Sequence, residues 1–333
     1  VAIAPGPDGN LWFASIANDA IGRVTPAGAV TMYAAASVRG PRSIVAGADG
    51  NLWFTNSTGN SIGRITPAVV ITDYTAATID TPREIAAGAD GRLWFTSTGN
   101  SAIGAIDPTT FAISSFTNAA LVSPLAITAA PDGNLWVTGA TEETVIRVTT
   151  AGAFTAFTDP GLGVLRELTA GPDGNVWFTN GSNAVGKVTP TGVVTAHTSP
   201  SIDNPQGIAT GPDGALWFTN IGSSTIGRVT TAGVVSTFTD ATVDQPYGIV
   251  AGPDGHVWFT NRANNSIGHI DPTSHVIGQA VGSGVTDPDA ITDGPDGNLW
   301  FTNFGGASIG RITPAGVVTT FSAPGVFSPA GIT

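Results

Sequence analysis

Residues 294–303 read Gly-Pro-Asp-Gly-Asn-Leu-Trp-Phe-Thr-Asn, and this stretch returns in recognisable form along the whole chain. Its Asp-Gly pair occurs eight times at intervals of 40 to 42 residues, and a Trp follows four residues after each Asp. The eight Asp residues are Asp8, Asp49, Asp90, Asp132, Asp173, Asp213, Asp254 and Asp296. Recurrence at this interval without a gap indicates a repeat protein with one structural unit per interval.

Each repeat predicts four short strands. An apolar strand runs into the Gly-Pro-Asp-Gly sequence, where Pro, Asp and Gly suit a type I turn. The following Leu-Trp-Phe-Thr segment is rich in residues that strands prefer. Ser-Ile-Gly-Arg-Ile-Thr (Ser308–Thr313) and Val-Val-Thr-Thr-Phe (Val317–Phe321) predict the third and fourth strands of the last repeat. No segment has the 3.6-residue apolar period of a helix.

Four strands per repeat of about 41 residues is typical of a β-propeller blade. We therefore predict an all-β fold, an eight-bladed β-propeller of four-stranded antiparallel blades in a closed ring. Residues 1–333 are expected to form this single domain. Val1–Gly6 and Pro329–Thr333 would supply two parts of one first strand, so the chain ends would close the ring within a blade. An open spiral or a fragment of a longer array is the alternative.

The amino-acid composition argues against several classes of binding partner. A net charge of −12 argues against nucleic acid and against anionic membrane surfaces, and no apolar run is long enough to span a bilayer. The absence of Cys removes disulfides, thiolate metal sites and cysteine nucleophiles. Only 11% of residues are charged, and this favours an exported bacterial protein, extracellular or at the cell surface. We expect a monomer.

The segment Gly-Pro-Asp-Gly-Asn-Leu-Trp-Phe-Thr, followed by Ile-Gly-Arg-Ile-Thr-Pro-Ala-Gly at residues 309–316, resembles the blades of the virginiamycin B (streptogramin) lyase family. Those proteins are relatives of the NHL-type propellers, and the resemblance covers the whole chain. The resemblance implies a β-propeller fold. The lyase has seven blades, however, whereas this sequence contains eight repeats. The resemblance also implies the opening of a cyclic depsipeptide by β-elimination with Mg²⁺. The working residues would be a His and a Tyr after the first-strand Pro, and a Glu that ends the Trp-bearing strand.

This chain departs from that pattern at the catalytic positions. The positions after the first-strand Pro, or its equivalent in the fifth repeat, hold Arg42, Arg83, Leu125, Arg166, Gln206, Tyr247, Asp289 and Ala330. The positions of the metal-binding Glu hold Ser15, Asn56, Ser97, Gly139, Asn180, Asn220, Asn261 and Asn303. Only Tyr247 matches by type. Elimination needs a general base and an electrophile for the developing charge. We therefore expect no catalytic residue, no metal site and no cofactor.

The polar residues after the first-strand Pro are the candidate ligand-binding residues. We call them the mouth residues, because they are expected at one mouth of the central channel: Arg42, Arg83, Arg166, Gln206, Tyr247 and Asp289. Guanidinium groups suit carboxylate and phosphate, so these residues predict contact with a small anion, a peptide, a saccharide or a protein partner. The structural alternative is that each Arg pairs with a neighbouring Glu, such as Glu84 or Glu167, or caps strand-end carbonyls. Six other basic residues share one third-strand slot and belong to the blade: Arg23, Arg64, Arg147, Lys187, Arg228 and Arg311.

Other polar clusters favour structural interpretations. His256, His269 and His275 fall in one repeat and His197 stands alone, but their spacing does not suit zinc, and His256 and His269 are expected at ordinary surface positions. Asp287, Asp289 and Asp293 lack the spacing of a calcium loop and indicate a solvated connection. The glycosylation sequons at Asn56, Asn180 and Asn264 are weak matches in a chain rich in Asn, Ser and Thr. The repeated Trp and Phe residues predict the core.

Three functions remain open on the sequence. The first is a non-catalytic binding or scaffold module that uses the mouth residues. The second is a Mg²⁺-dependent lyase or lactonase, with Tyr247 as base or Glu84, Glu167 or Asp289 as acid, together with a metal. The third is a spacer made of amplified repeats, whose mouth residues would not cluster.

Overall fold

A computed structural model describes residues 3–139, 144–159, 162–323 and 326. The described residues form eight four-stranded antiparallel sheets whose strands follow chain order, and one 3₁₀ turn at Ile16–Asn18. The predicted fold class is therefore confirmed as an all-β, eight-bladed propeller. No helical segment in the described part of the chain is long and apolar enough to cross a bilayer.

Four blades belong to the first compact unit, Val1–Phe157 with Ala323–Thr333, which we call unit 1. Blade 1 contains β1 (Ile3–Pro5), β2 (Leu11–Ser15), β3 (Ala20–Val24) and β4 (Val30–Ala34). Blade 2 contains β5 (Pro41–Ala46), β6 (Leu52–Asn56), β7 (Ser61–Ile65) and β8 (Ile71–Thr75). Blade 3 contains β9 (Pro82–Ala87), β10 (Leu93–Ser97), β11 (Ala102–Ile106) and β12 (Ile113–Thr117). Blade 4 contains β13 (Pro124–Ala129), β14 (Leu135–Gly139), β15 (Thr144–Val148) and β16 (Phe154–Thr158).

The other four blades belong to unit 2, Thr158–Ser322. Blade 5 contains β17 (Leu165–Ala170), β18 (Val176–Asn180), β19 (Ala184–Val188) and β20 (Val194–Thr198). Blade 6 contains β21 (Pro205–Thr210), β22 (Leu216–Asn220), β23 (Thr225–Val229) and β24 (Val235–Phe238). Blade 7 contains β25 (Pro246–Ala251), β26 (Val257–Asn261), β27 (Ser266–Ile270) and β28 (Ile277–Ala280). Blade 8 contains β29 (Pro288–Asp293), β30 (Leu299–Asn303), β31 (Ser308–Ile312) and β32 (Val318–Phe321).

The repeated Asp and Trp are joined by a hydrogen bond, which explains their fixed spacing. In blade 2 the Trp53 indole Nε1 donates to Asp49 Oδ1 at 3.1 Å, and the other seven blades contain the same bond. Every Trp is at most 1% exposed. A fully buried indole is satisfied only if its N–H finds an acceptor, and the turn carboxylate supplies one. The predicted aromatic core is confirmed.

Strand register defines two ends of each blade. In blade 2, Pro41 pairs with Asn56 and Asn56 pairs with Ser61, so the start of β5 and the β6–β7 loop share one end, which we call the proline end. The Asp-Gly turn lies at the other end. Within each unit the first strands of successive blades pack together, as β5 does on β9 and β21 does on β25. The mouth residues thus start the mutually packed strands at the proline end.

The predicted ring closure concerns Pro329–Thr333, and these residues lie outside the described part of the chain, as does the mouth position Ala330. Closure and the single-domain assignment stay predictions.

Candidate functional site

Four of the six mouth residues are held through their backbone by a Thr of the preceding blade: Arg83, Gln206, Tyr247 and Asp289. The first strands carry a β-bulge directly after the Pro, as between Pro246 and Ile249, so the mouth residue has no regular ladder partner. The Thr219 hydroxyl donates to the carbonyl of Tyr247 at 2.7 Å and accepts the N–H of Gly207, in its own blade, at 3.0 Å. Equivalent Thr hydroxyls bind the carbonyls of Arg83, Leu125, Gln206 and Asp289. These bonds fix the backbone of those four mouth residues.

The positions where the family has its metal-binding Glu are filled by structural amides. Asn261 is fully buried; its Oδ1 accepts the N–H of Asp244, while its Nδ2 donates to the Thr242 carbonyl and to Ser266 Oγ. Asn56, Asn220 and Asn303 are held in the same manner. Amides already used in this way offer Mg²⁺ no carboxylate ligand, so these residues do not fit the family's metal. Among the described residues no three His, Asp or Glu side chains are grouped to hold a metal ion.

In unit 1 the mouth residues form a group of unpaired cations. Arg42 and Arg83 are both half-buried, and neither guanidinium has a hydrogen-bond or ion-pair partner among the described residues. Burial, followed by the charge of Arg83, lowers the pKa of Arg42. Two guanidiniums that repel one another in a partly desolvated place form an unfavourable arrangement, which a bound anion would relieve.

Glu84 follows Arg83 and does not pair with it. Its Oε2 accepts the N–H of Ile127, on the first strand of blade 4, at 3.2 Å. Desolvation raises the pKa of Glu84 to about 7, against the opposing effects of that hydrogen bond and of Arg83, although the side chain keeps some solvent access. Ser43 occupies the same slot in blade 2, and its hydroxyl accepts the N–H of Ile85. The residue at this position therefore accepts a backbone N–H hydrogen bond from the first strand of the next blade.

In unit 2 the exposed Arg166 is held by neutral oxygens. Its two terminal nitrogens donate to Gln206 Oε1 at 3.1 Å and to Asn204 Oδ1 at 2.9 Å, and Gln206 Nε2 also donates to Asn204 Oδ1. No carboxylate of the described chain lies within ion-pair distance of Arg166. Of the two structural roles that the sequence left open for these arginines, an ion pair with Glu or a hydrogen bond to strand-end carbonyls, Arg166 instead donates to two side-chain amide oxygens.

Tyr247 and Asp289 meet at an arginine that the sequence analysis did not select. Arg262 lies 4.5 Å from the Tyr247 ring centre, its Nε donates to Asp287 Oδ1 at 2.9 Å, and its Nη1 is 3.5 Å from Asp289 Oδ1. Burial, then Asp289, raises the pKa of Tyr247, while Arg262 opposes the rise. Arg262 could have been noticed, because it is one of few basic residues outside the repeated slot and directly follows the Trp-bearing strand of the blade with Tyr247.

The acidic run is not the solvated connection that we expected. Asp289 lies in β29 and is 6% exposed, and both Asp287 and Asp289 contact Arg262. Only Asp293, at the end of that strand, is exposed. The reason is the packing of β29 on β25, which brings Asp289 beside the ring and the guanidinium of blade 7.

The four histidines lie away from the first strands. His197 in β20 stacks on Trp177, and His269 in β27 contacts Trp258 at 4.7 Å between ring centres. His256 precedes β26 and its Nδ1 lies 3.0 Å from Asp254 Oδ2, while His275 stacks on Phe238. His256 and His269 are half-buried rather than simple surface residues, since each packs within the outer part of its blade.

The remaining sequence candidates are structural. The repeated basic slot places a cation over the Trp of the same blade, at 5.1 to 5.8 Å from the ring centre in blades 1, 2, 5, 6 and 8. Asn56 and Asn180 are fully buried, and Asn264 donates to the Thr242 carbonyl. The first two sequons are therefore inaccessible in the folded protein.

The fold and this site define a β-propeller that carries polar residues on bulged first strands. The model of the virginiamycin B lyase family matches residues 1–160, 112–245 and 168–333, which together span the chain. The protein therefore belongs to the virginiamycin B lyase family. No curated protein was found to match the sequence.

Solved structures of lyases are also similar to this chain. Virginiamycin B lyase from Staphylococcus aureus is 30% identical, with a TM-score of 0.65 over 79% of this chain and 91% of the lyase. A catalytically inactive histidine-to-alanine variant of that enzyme with quinupristin aligns equally well. A streptogramin B lyase structure is 29% identical, with a TM-score of 0.67 over 84% of this chain and 93% of its own.

Proposed function

We propose that the protein is a non-catalytic member of its family that binds a small anionic group through Arg42 and Arg83. The observation that carries this proposal is that neither guanidinium has a hydrogen-bond or ion-pair partner among the described residues, in a half-buried place where Arg83 already lowers the pKa of Arg42. A structural arginine normally meets a carboxylate or a carbonyl when it is partly buried. An anionic group of a small molecule, a peptide or a protein partner would supply the missing charge.

The absence of catalysis is the second part of the proposal. Its support is that all four histidines lie on outer strands or beside turns, and that buried amides replace the family's metal-binding Glu. Tyr247 matches the family by type, but burial raises the pKa of its phenol, so it is a proton donor at neutral pH.

Thermal unfolding in the presence of phosphate, citrate and sulfate tests the anion site. A ligand at 100 times its dissociation constant stabilises the folded state by about 2.7 kcal/mol. We expect an anion-dependent rise in Tm that is lost in both Arg42→Gln and Arg83→Gln. Arg228→Gln is the control, because it removes one positive charge from the Asp-Gly end, where Arg228 pairs with Asp213. Equal responses in all four proteins would contradict the proposal.

A lyase or lactonase activity is the second candidate, and one observation favours it. Desolvation raises the pKa of Glu84 to about 7, the range that suits a general acid or base at neutral pH. Quinupristin, which occupies the inactive staphylococcal variant, is the probe, with Mg²⁺ added. Elimination would give an isomer separable by chromatography, and lactone hydrolysis would add one water to the mass. Turnover lost in Glu84→Gln would establish the enzyme; unchanged quinupristin supports the binding module.

Export to a bacterial cell exterior belongs to the same proposal. Its support is the low charged content of 11%, with no Cys to be oxidised. Fractionation of the source cells tests it, and recovery of the protein only with cytoplasmic markers would contradict it.

A further inference from the structure

Blade 5 departs from the repeat where its first strand begins. In six other blades the residue before the first-strand Pro has a positive φ between 42° and 59°: Gly40, Thr81, Ser123, Asn204, Gln245 and Asp287. In blade 5 Leu165 replaces the Pro, and the preceding Val164 lies outside the left-handed region, which β-branched residues avoid. The side chain of Val164 is 52% exposed. A local departure from the pattern of the other repeats is expected where a position serves function rather than folding.

Gly181 leaves one side of the Arg166 guanidinium uncovered. Its N–H donates to the Val164 carbonyl at 2.9 Å, and the residues that make the same bond in other blades all carry side chains: Ser57, Thr98, Ile221, Arg262 and Phe304. In blade 7 that side chain, Arg262, lies over the mouth residue Tyr247. In blade 5 a Cβ on the exposed Gly181 would lie 3.9 Å from Arg166 Nε and 3.8 Å from Val164 Cβ. A ligand atom at this point would contact the guanidinium and the valine together.

Two amides fix the direction of Arg166 without neutralising its charge. Its Nη1 and Nη2 donate to Gln206 Oε1 and Asn204 Oδ1, and Gln206 is 8% exposed, so the guanidinium is anchored on a buried residue. Asn204 Oδ1 also accepts Gln206 Nε2. The guanidinium keeps further N–H donors, Nε among them, that have no acceptor in the described chain. A planar carboxylate is the ligand group that best fits such a donor.

We propose that Arg166 and Val164 form a second ligand site, which binds the carboxylate of an aliphatic acid on the guanidinium and packs its hydrocarbon chain on the valine. An inorganic anion would engage the guanidinium alone, and an uncharged saccharide would leave its charge without a partner. The same ligand chemistry occurs in a free branched-chain acid and at the C-terminus of a peptide that ends in Val. This site lies in unit 2 and shares no residue with the Arg42 and Arg83 site, so each proposal can fail alone.

Calorimetric titration in an Arg42→Gln, Arg83→Gln background tests this site apart from the first one. The probes are isovalerate, the uncharged isovaleramide, and acetate, which lacks the branched chain. We expect isovalerate to bind about tenfold or more tightly than isovaleramide, and several-fold more tightly than acetate. Arg166→Gln, which copies Gln206 of the next blade, should lose the preference for isovalerate over its amide. N-acetyl-alanyl-valine distinguishes the sources: binding tighter than that of isovalerate indicates a peptide terminus, and weaker binding indicates a free acid.

Two further variants change the surroundings of Arg166 and keep its charge. Gly181→Ile copies Ile221 of blade 6 and covers Nε, so it should weaken isovalerate binding as much as Arg166→Gln does. Val164→Ser copies Ser123 of blade 4 and removes the aliphatic contact. It should bind acetate as the background protein does and should lose the preference for isovalerate over acetate.

Thermal unfolding of each variant verifies that it is folded, and Arg166→Gln, at an exposed position, keeps the test valid if Gly181→Ile does not fold. The proposal is wrong if the background protein binds no isovalerate at tens of millimolar, or binds isovaleramide equally well. It is also wrong if isovalerate binding is unchanged in Arg166→Gln or in folded Gly181→Ile, or if the preference over acetate survives in Val164→Ser.

Discussion

The guanidinium of Arg262 lies 4.5 Å from the centre of the Tyr247 ring. Arg262 follows β26, whereas Tyr247 lies in β25, and Asp287 and Asp289 come from the next blade. The orientation of this mouth residue therefore depends on two blades. A cation over a ring, itself held by carboxylates, stabilises such an arrangement more than an isolated contact does.

The first prediction concerns the titration of Tyr247. Arg262 holds the pKa of Tyr247 below the level that burial and Asp289 would set, so Arg262→Gln should raise that pKa further. Ultraviolet titration of the phenol in a Tyr33→Phe, Tyr74→Phe background isolates Tyr247, because the chain has three tyrosines. Arg228→Gln should leave the titration unchanged. An unchanged or lower pKa in Arg262→Gln would contradict the described contact.

The second prediction concerns the Thr that connects two blades. Thr219→Val keeps the shape but removes the bonds to the Tyr247 carbonyl and the Gly207 N–H, in a fully buried place. Each buried group left without a partner costs about 1–3 kcal/mol, so we expect at least that loss in the free energy of unfolding. Thr195→Val is the control, because the Thr195 hydroxyl has no partner among the described residues. Equal effects in urea unfolding would argue against the connecting role of Thr219.

The third prediction concerns a packing pair inside the blade. A Cβ on Gly63 would lie 2.1 Å from Phe54 Cζ, so Gly63→Ala overpacks the core and should cost about 1–3 kcal/mol. In blade 4 the positions equivalent to Phe54 and Gly63 hold Val137 and Ile146, which pair across the two strands. A smaller residue at the first position thus leaves room for a larger one at the second. Phe54→Val should therefore relieve Gly63→Ala, and the double variant should be less destabilised than the sum of the single ones. Strict additivity in a double-mutant cycle would refute this interpretation.

The fourth prediction concerns pH. The folded-state pKa of Glu84 is about 7 and the ordinary value is 4.5, so the unfolded chain releases a proton that the folded chain retains between these values. Stability must then fall as pH rises from 4.5 to 7, by up to about 3 kcal/mol, reduced by the remaining solvent access of the side chain. Glu84→Gln keeps an acceptor for the Ile127 N–H and should abolish this fall.

Glu167 provides the control for that experiment, since it occupies the same slot in blade 5 and is exposed. Unfolding free energies of Glu167→Gln should follow the wild-type pH dependence. If Glu84→Gln still loses stability over the same interval, a group other than Glu84 is responsible.

Sequence alone was sufficient for the blades because their signals are local. Asp49 and Trp53 are four residues apart and joined by one hydrogen bond, and Gly50 has the positive φ of +73° that the turn requires. Such pairs depend on a few consecutive residues, so their spacing predicts strands, turns and core together.

The site was less accessible to sequence because its contacts join different blades. Asp289 looked like part of a solvated run, yet packing of β29 on β25 buries it beside Arg262. Side chains along a regular strand alternate between its two faces, so their direction can usually be read from the sequence. The bulge after the first-strand Pro interrupts this alternation at the mouth residue. The start of each first strand was predictable, whereas the partners of Tyr247 and the unpaired state of Arg42 were not.

Calorimetric titration of citrate into wild type, Arg42→Gln, Arg83→Gln and Arg228→Gln tests the central claim most directly. If two unpaired guanidiniums form the anion site, each of the first two variants binds at least about tenfold more weakly than wild type. Arg228→Gln binds unchanged, and the affinity of wild type falls as salt rises. Wild-type protein that binds no citrate, or variants of Arg42 and Arg83 that bind as wild type does, would contradict the account.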